Sequence, residues 1–172
     1  VSAKRSFHCR TLMALAATGQ PYKHEPLQPM PEGFRHVVWN DPSEHEKLLI
    51  EDVGGVILDS VPGEGGVNPA DVSYLRAVAD MCRERGILVV FDEVQTGFGR
   101  TGDWFGCQHA GIEPDIVTIA KGVANGMPVG AMWARNEVAA AFGPGDHGST
   151  YAGQPLALSA ARATLAELEA ID

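Results

Sequence analysis

The 172-residue sequence lacks long hydrophobic runs, has few aromatic residues and contains only three cysteines. A membrane-spanning helix needs about 20 consecutive apolar residues, so the sequence predicts no such segment and no membrane partner. Cys9, Cys82 and Cys107 are odd in number and do not have the spacing of a metal site. This pattern favours reduced thiols, a cytoplasmic location and no metal centre.

Basic residues are also scarce, because 13 Lys and Arg accompany 22 Asp and Glu for a formal net charge of −9. This balance argues against nucleic acid as a partner, since nonspecific binding depends on cationic contacts to phosphates. A small phosphorylated ligand is still possible, because backbone N–H groups and one lysine can bind a phosphate. Hydrophobic residues make up 45% of the chain, enough for the core of one globular domain or of part of a larger one.

Short apolar runs alternate with helical patterns along the chain, which predicts an α/β fold. Strands are predicted at residues 56–58, 87–91, 116–120 and 129–133. Helices are predicted after Asn68-Pro69 up to a stop at Gly86, from Asn136 as N-cap to Phe142, and over residues 155–171. Strands that are apolar throughout are covered on both faces, so we expect a three-layer sandwich with a mostly parallel sheet.

Asp92 and Lys121 follow two of the predicted strands directly. In parallel sheets, ligands bind at the carboxyl ends of the strands, so both side chains are candidates for a site. One interpretation is the Mg²⁺-binding strand of a P-loop NTPase, but these 172 residues contain no GxxxxGK(S/T) loop. The other is a pyridoxal 5'-phosphate (PLP) site, which needs a lysine amine to bond the cofactor aldehyde and a carboxylate to keep the ring nitrogen protonated.

Four segments resemble landmarks of the class III PLP-dependent aminotransferases, in the order of that family. They are residues 6–12 (SFHCRTL), 91–102 (FDEVQTGFGRTG), 114–130 (containing PDIVTIAKG and GMPVG) and 147–157 (HGSTYAGQPLA). The sequence is most similar to the branch that contains acetylornithine and ornithine aminotransferases. The resemblance implies the large domain of a fold type I PLP-dependent transferase.

The resemblance also implies roles for residues near the cofactor. Lys121 would bind PLP covalently, and Asp92 would face the pyridine nitrogen. Val94 and Phe7 would pack against the ring, and Gln95 would approach its phenolic oxygen. We therefore expect these residues to surround one flat aromatic ligand.

Further roles concern the substrate and the neighbouring subunit. Thr150 and Ser149 would bind the cofactor phosphate of the neighbouring subunit, which makes a homodimer the expected partner arrangement. Arg10 would bind a substrate carboxylate. Glu64 would act as a specificity switch by pairing with an arginine from the C-terminal part of the family's chain.

The reaction implied by the resemblance is a ping-pong transfer of an amino group from N-acetylornithine or a related ω-amino donor to 2-oxoglutarate. Ornithine, 4-aminobutyrate and succinylornithine are alternative donors, and an aminomutase is disfavoured by Gln95. The family's upstream phosphate loop and C-terminal small domain lie outside this sequence, so we expect residues 1–172 to form part of the large domain. A chain that begins at Val1 is expected to be a fragment, and a non-catalytic pseudoenzyme is the remaining alternative.

The sequence departs from the family pattern at two places. Residues 59–64 read DSVPGE, where the family usually has Glu-Pro-x-Gln-Gly-Glu, and Cys9 replaces a usual glycine. If position 9 requires a positive φ, the cysteine lowers stability. We expect His8 and His147, which lie inside the motifs, to have packing or hydrogen-bonding roles.

Overall fold

A computed structural model describes residues 1–49 and 52–171 of the chain. Two short strands, β1 (Ser2–Ala3) and β2 (His36–Val37), pair in parallel. The main sheet has four strands in the order β3 (Gly55–Leu58), β4 (Leu88–Asp92), β5 (Ile116–Ile119) and β6 (Ala131–Ala134). The first three of these run parallel and β6 is an antiparallel edge strand, so the predicted α/β class with a mostly parallel sheet is confirmed.

Within the described residues, six α-helices connect or flank these strands. They are α1 (Leu12–Ala17), α2 (Pro21–His24), α3 (Pro42–Leu48), α4 (Val72–Arg85), α5 (Asn136–Ala139) and α6 (Pro155–Ile171). Three 3-10 turns lie at Glu25–Leu27, Gly106–Ala110 and Lys121–Ala124. Across the described part of the chain, no helix is long and apolar enough to cross a membrane.

The predicted boundaries of two helices need correction. Helix α4 ends at Gly86, which has the left-handed φ of 67° that favours glycine, as predicted. Its N-cap, however, is Asp71 rather than Asn68, because the Asn68 amide donates to the Gly65 carbonyl in the preceding turn. Helix α5 is shorter than predicted, and its N-cap is Arg135 rather than Asn136.

The main core lies between one face of the sheet and α4. Val56, Leu58, Val89 and Phe91 alternate along β3 and β4 and are buried against Tyr74, Leu75, Val78, Ala79 and Cys82 of the helix. Ile57 and Val90 point to the other face and are only half-buried. Burial therefore alternates along these two strands, and the more deeply buried face is the one packed against α4. Parallel pairing holds β4 and β5 in register, which places the residues at their ends side by side.

Candidate active site at the ends of two strands

Asp92 and Lys121 reach the same cavity from neighbouring strands. Asp92 ends β4 and is the register partner of Thr118 in β5, and Lys121 follows three residues after Thr118. Both residues line a cavity of about 290 Å³ together with Phe7 and Glu64. Hence the two strand ends bring an amine and a carboxylate to one side of the sheet.

Two further predicted residues, Val94 and Gln95, line the same cavity. They lie in the turn that follows β4, and this turn is held by the buried side chain of Glu93. The Glu93 carboxylate accepts hydrogen bonds from the Thr96 hydroxyl and from the backbone N–H groups of residues 106 and 107, the latter two at 3.0 and 2.8 Å. Glu93 is therefore a structural anchor that the sequence analysis did not identify. The sequence signal that could have identified Glu93 was its position directly after the candidate residue Asp92.

The Asp92 carboxylate has three hydrogen-bond donors. Its Oδ2 lies 2.8 Å from His8 Nδ1, and its Oδ1 accepts from the Thr118 hydroxyl at 3.1 Å and the Val94 N–H at 3.2 Å. Burial by itself raises the pKa of this carboxyl, but the hydrogen bond and charge of His8, together with the hydrogen bonds from Val94 and Thr118, outweigh burial and hold the pKa below its usual value. The side chain is therefore ionised at neutral pH and fixed in orientation.

His8 connects Asp92 to a second carboxyl group, that of Asp59. The His8 side chain is 4% exposed, its Nε2 has no hydrogen-bond partner in the described part of the chain, and Asp59 Oδ2 lies 3.8 Å from that nitrogen. Burial lowers the pKa of His8, but Asp92 and Asp59 more than compensate, so the pKa is raised. Burial raises the pKa of Asp59 to about 7. The predicted hydrogen-bonding role of His8 is confirmed, with Asp92 as the side-chain partner.

The backbone at Lys121 adopts an unusual conformation. Its φ is 48°, in the left-handed region that residues with a side chain seldom occupy, and it opens the 3-10 turn Lys121–Ala124. Conformations of this kind persist where the surrounding structure imposes them, and they cluster at functional sites. This feature independently marks Lys121 as a candidate functional residue.

Cys9 also has a positive φ, of 98°. A stability penalty is expected where a residue with a side chain must adopt this conformation, and Cys9 meets that condition. Cys9 lines the cavity beside His8 and is exposed. Cys9 therefore places a side chain, in a strained backbone conformation, at a position in the cavity wall where the resembled family usually has glycine.

Three of the predicted site residues do not line this cavity, namely Arg10, Ser149 and Thr150. Arg10 is exposed and follows Cys9, but it does not line the cavity. Ser149 and Thr150 lie in an exposed segment before α6. Within residues 1–49 and 52–171, their side chains form no hydrogen bonds, so the roles of all three stay predictions.

The structure also brings Lys23, a residue not predicted for the site, to Glu64. Lys23 belongs to α2, and its ammonium group forms an ion pair with the Glu64 carboxylate. The same ammonium lies 4.2 Å from the centroid of the Phe7 ring. No local pattern links residues 23 and 64, so sequence reasoning had no signal for this contact.

Comparison with known proteins shows the family that this chain matches. The family model for class-III aminotransferases matches residues 1–172. The acetylornithine aminotransferase of Aquifex aeolicus is 44% identical over 169 residues, which cover 98% of this chain and 45% of that protein. The acetylornithine aminotransferase of Bacillus subtilis is 48% identical over 162 residues, which cover 94% of this chain and 42% of that protein. The chain therefore spans less than half the length of these relatives.

Solved structures give the same result for the fold. The ornithine aminotransferase of Toxoplasma gondii superposes with a TM-score of 0.93 at 30% identity, covering 98% of this chain and 40% of that one. That structure has PLP at partial occupancy in its active site. The strand order described above thus belongs to a fold shared with that PLP-containing protein.

Proposed function

Because this chain belongs to the class-III aminotransferase family, we propose that it carries the cofactor-binding lysine and carboxylate of a PLP-dependent transaminase. The observation that carries the proposal is that Lys121 and the ionised Asp92 line one cavity from adjacent strands. Residues 1–172 form part of the cofactor-binding large domain in this proposal. We propose the cytoplasm as the location of the protein.

The residues of the cavity fit a pyridine ring. A carboxylate has about four lone-pair positions, and three donors already contact Asp92, which leaves room for one more N–H donor. Phe7 and Val94 supply apolar walls, and the volume of about 290 Å³ is close to the small end of the range for ligand pockets. Lys121 would hold the cofactor covalently, Asp92 would accept from the ring nitrogen, and Gln95 would contact the phenolic oxygen.

When bound, PLP supplies an electron sink that stabilises the negative charge left as a proton leaves the substrate carbon. Two groups of the chain would assist this proton transfer. Asp92, kept ionised and oriented by His8, Thr118 and Val94, favours a proton on the ring nitrogen. The Lys121 amine, once free, takes the proton from the substrate carbon and returns it at a different atom.

The substrates follow from the relatives and from the charged residues near the cavity. We propose N-acetylornithine or a related ω-amino compound as donor and 2-oxoglutarate as acceptor, with ornithine, 4-aminobutyrate and succinylornithine as alternative donors. Arg10 would bind a substrate carboxylate, since a planar guanidinium forms two parallel hydrogen bonds with it. Ser149 and Thr150 would bind the cofactor phosphate of a second copy, in a homodimer.

Visible absorbance tests the proposal directly. The protein that contains this chain, mixed with PLP and freed of excess, should show the visible band of a lysine-bound cofactor. Adding the amino donor should bleach the band, and adding 2-oxoglutarate should restore it. Lys121→Ala should lack the band, whereas Lys47→Ala on the exposed surface of α3 should keep it. A band that persists in Lys121→Ala, or a wild-type protein that never develops one, contradicts the proposal.

A further inference from the structure

The 3-10 turn that begins at Lys121 is followed by an asparagine and a glycine. Asn125 is the C-cap of this turn, with a φ of 45° and a ψ of 48°, and Gly126 has a φ of 107°. Both residues are exposed. Asparagine tolerates the left-handed conformation better than most residues, and glycine adopts it without steric cost. Two consecutive residues with positive φ thus form an exposed turn close to the candidate cofactor-binding lysine.

Few hydrogen bonds hold this turn. The Asn125 N–H donates to the Gly122 carbonyl at 3.2 Å, and the Met127 N–H donates to the Ala124 carbonyl at 3.1 Å. Both distances lie at the long end of the usual range for such bonds. Within residues 1–49 and 52–171, neither the Asn125 side chain nor the Gly126 N–H forms a hydrogen bond. The side-chain amide and the following peptide group are therefore held only by the backbone.

The other asparagines of the chain differ from Asn125. Asn40 and Asn68 form hydrogen bonds through their side-chain amides. Asn136 is exposed, as Asn125 is, but it opens helix α5 and precedes a glutamate. Only Asn125 precedes a glycine. Asn136 is therefore an internal control for an exposed asparagine whose neighbour carries a side chain.

Asn125 lies in the wall of a second cavity, which also reaches Lys121. This cavity has a volume of about 580 Å³, and its lining includes Gln95 beside these two residues. Arg100 and Lys121 are the charged residues of the lining. A negative charge created at position 125 would therefore lie in a cavity whose charged groups are both cations.

We infer that Asn125 and Gly126 form a self-modification site, at which the asparagine amide is converted to a carboxylate in the wall of the second cavity. The Gly126 backbone nitrogen bonds to Asn125 Cγ, and the side-chain nitrogen leaves as ammonia with the proton that the backbone nitrogen loses. Since glycine has no Cβ, nothing obstructs this ring closure. Water then opens the five-membered imide, adding its hydroxyl to one ring carbonyl and its proton to the ring nitrogen. Opening at Cγ gives aspartate, and opening at the backbone carbonyl gives isoaspartate.

A rigid turn would prevent this reaction, because the ψ of Asn125 has to rotate before the Gly126 nitrogen can reach Cγ. The exposure of the turn and its two long hydrogen bonds favour local opening. The modification also has a consequence for Lys121, which rests on the proposed function. A nearby carboxylate favours the charged form of a lysine, whereas the amine must be neutral to bond the cofactor aldehyde. The modified protein should therefore bind PLP more weakly.

Peptide mapping by mass spectrometry tests the modification itself. The protein that contains this chain is incubated without PLP at pH 8, and the acid forms at Asn125 and Asn136 are quantified, with isoaspartyl methyltransferase as the label for isoaspartate. We expect at least about tenfold more conversion at Asn125, equivalent to a barrier about 1.4 kcal/mol lower. Asn125→Gly, which suits the positive φ, should leave conversion at Asn136 unchanged. Equal conversion at Asn125 and Asn136, or none at Asn125, overturns the inference.

A fluorescence titration with PLP tests the consequence for Lys121. Asn125→Asp introduces the carboxylate directly, Asn125→Gly is the uncharged control, and Asn136→Asp adds the same charge at α5. We expect Asn125→Asp to raise the Kd for PLP about threefold, the size of a surface ion pair, and both controls to resemble the wild type. An unchanged Kd in Asn125→Asp, or an equal rise in Asn136→Asp, overturns the effect on Lys121. A wild-type protein that binds no PLP instead contradicts the proposed function, and peptide mapping still decides whether Asn125 is modified.

Discussion

His8 Nδ1 lies 2.8 Å from Oδ2 of Asp92, although 84 positions separate the two residues. Since a carboxylate can only accept, Nδ1 is the donor in this hydrogen bond. On the far side of the ring, Nε2 lies 3.8 Å from Asp59 Oδ2. One ligand-type atom of each of the three residues lies within 4.8 Å of the others. Three titratable groups thus form a largely buried cluster, in which His8 holds down the pKa of Asp92.

Removing the His8 donor should weaken cofactor binding. In His8→Leu, Asp92 loses its strongest hydrogen bond and the charge that lowers its pKa, so its ionised form is less favoured. We expect the Kd for PLP to rise about tenfold, which corresponds to one charge-assisted hydrogen bond. His8→Asn, whose amide can donate from a similar position, should recover most of the affinity. Equal losses of PLP affinity in His8→Leu and His8→Asn would mean that the His8 ring has only a packing role and does not stabilise the ionised form of Asp92. A fluorescence titration with PLP measures the Kd.

The raised pKa of Asp59 predicts a pH-dependent stability. Burial raises this pKa from 3.8 to about 7, so the folded protein binds the proton more tightly than the unfolded chain does. The carboxyl therefore lowers stability increasingly as pH rises from about 4 to 7, and the penalty is complete above that range. Asp59→Asn should raise the free energy of unfolding by roughly 4 kcal/mol at pH 8 and much less at pH 4. Urea denaturation at the two pH values measures this, and a gain that is the same at both would contradict the assignment.

Relieving the backbone strain at Cys9 should stabilise the protein. At a φ of 98°, glycine lacks the Cβ that causes the strain, although its greater freedom in the unfolded chain offsets part of the gain. We expect Cys9→Gly to raise the free energy of unfolding by about 1 kcal/mol. Cys9→Ala keeps the Cβ and serves as the matched control. Thermal denaturation of the three proteins gives the comparison, and a stabilised alanine variant would exclude backbone strain as the cause.

Replacing Glu93 should destabilise the loop that carries Val94 and Gln95. The buried Glu93 carboxylate accepts from the Thr96 hydroxyl and two backbone N–H groups, and glutamine cannot accept all three. Glu93→Gln should lower the free energy of unfolding by about 2–3 kcal/mol, because buried donors lose their partner. Glu113→Gln is the control, since the Glu113 side chain is 81% exposed and should change stability by less than about 0.5 kcal/mol. Similar values for both variants would argue against the anchoring role.

The local features of this protein were determined by its sequence. Apolar runs predicted the four strands of the main sheet, and Gly86 predicted the end of α4, because both signals act over a few residues. Lys121 and Asp92 could be selected for the same reason, since the end of a parallel strand lies at the edge of a sheet where ligands bind. The helix starts were predicted less well, because Asn68 formed a turn hydrogen bond that competes with capping.

Only the tertiary structure decided which side chains distant in sequence contact the residues of the site and how they change its charge state. His8 reaches Asp92 across 84 positions and Lys23 reaches Glu64 across 41, and neither spacing is periodic in any local element. Such contacts depend on how β1, α2 and the loop after β3 are arranged around the sheet, which is a property of the packed chain. The pKa of Asp59 depends on the same packing, because burial and neighbouring charges exist only after folding.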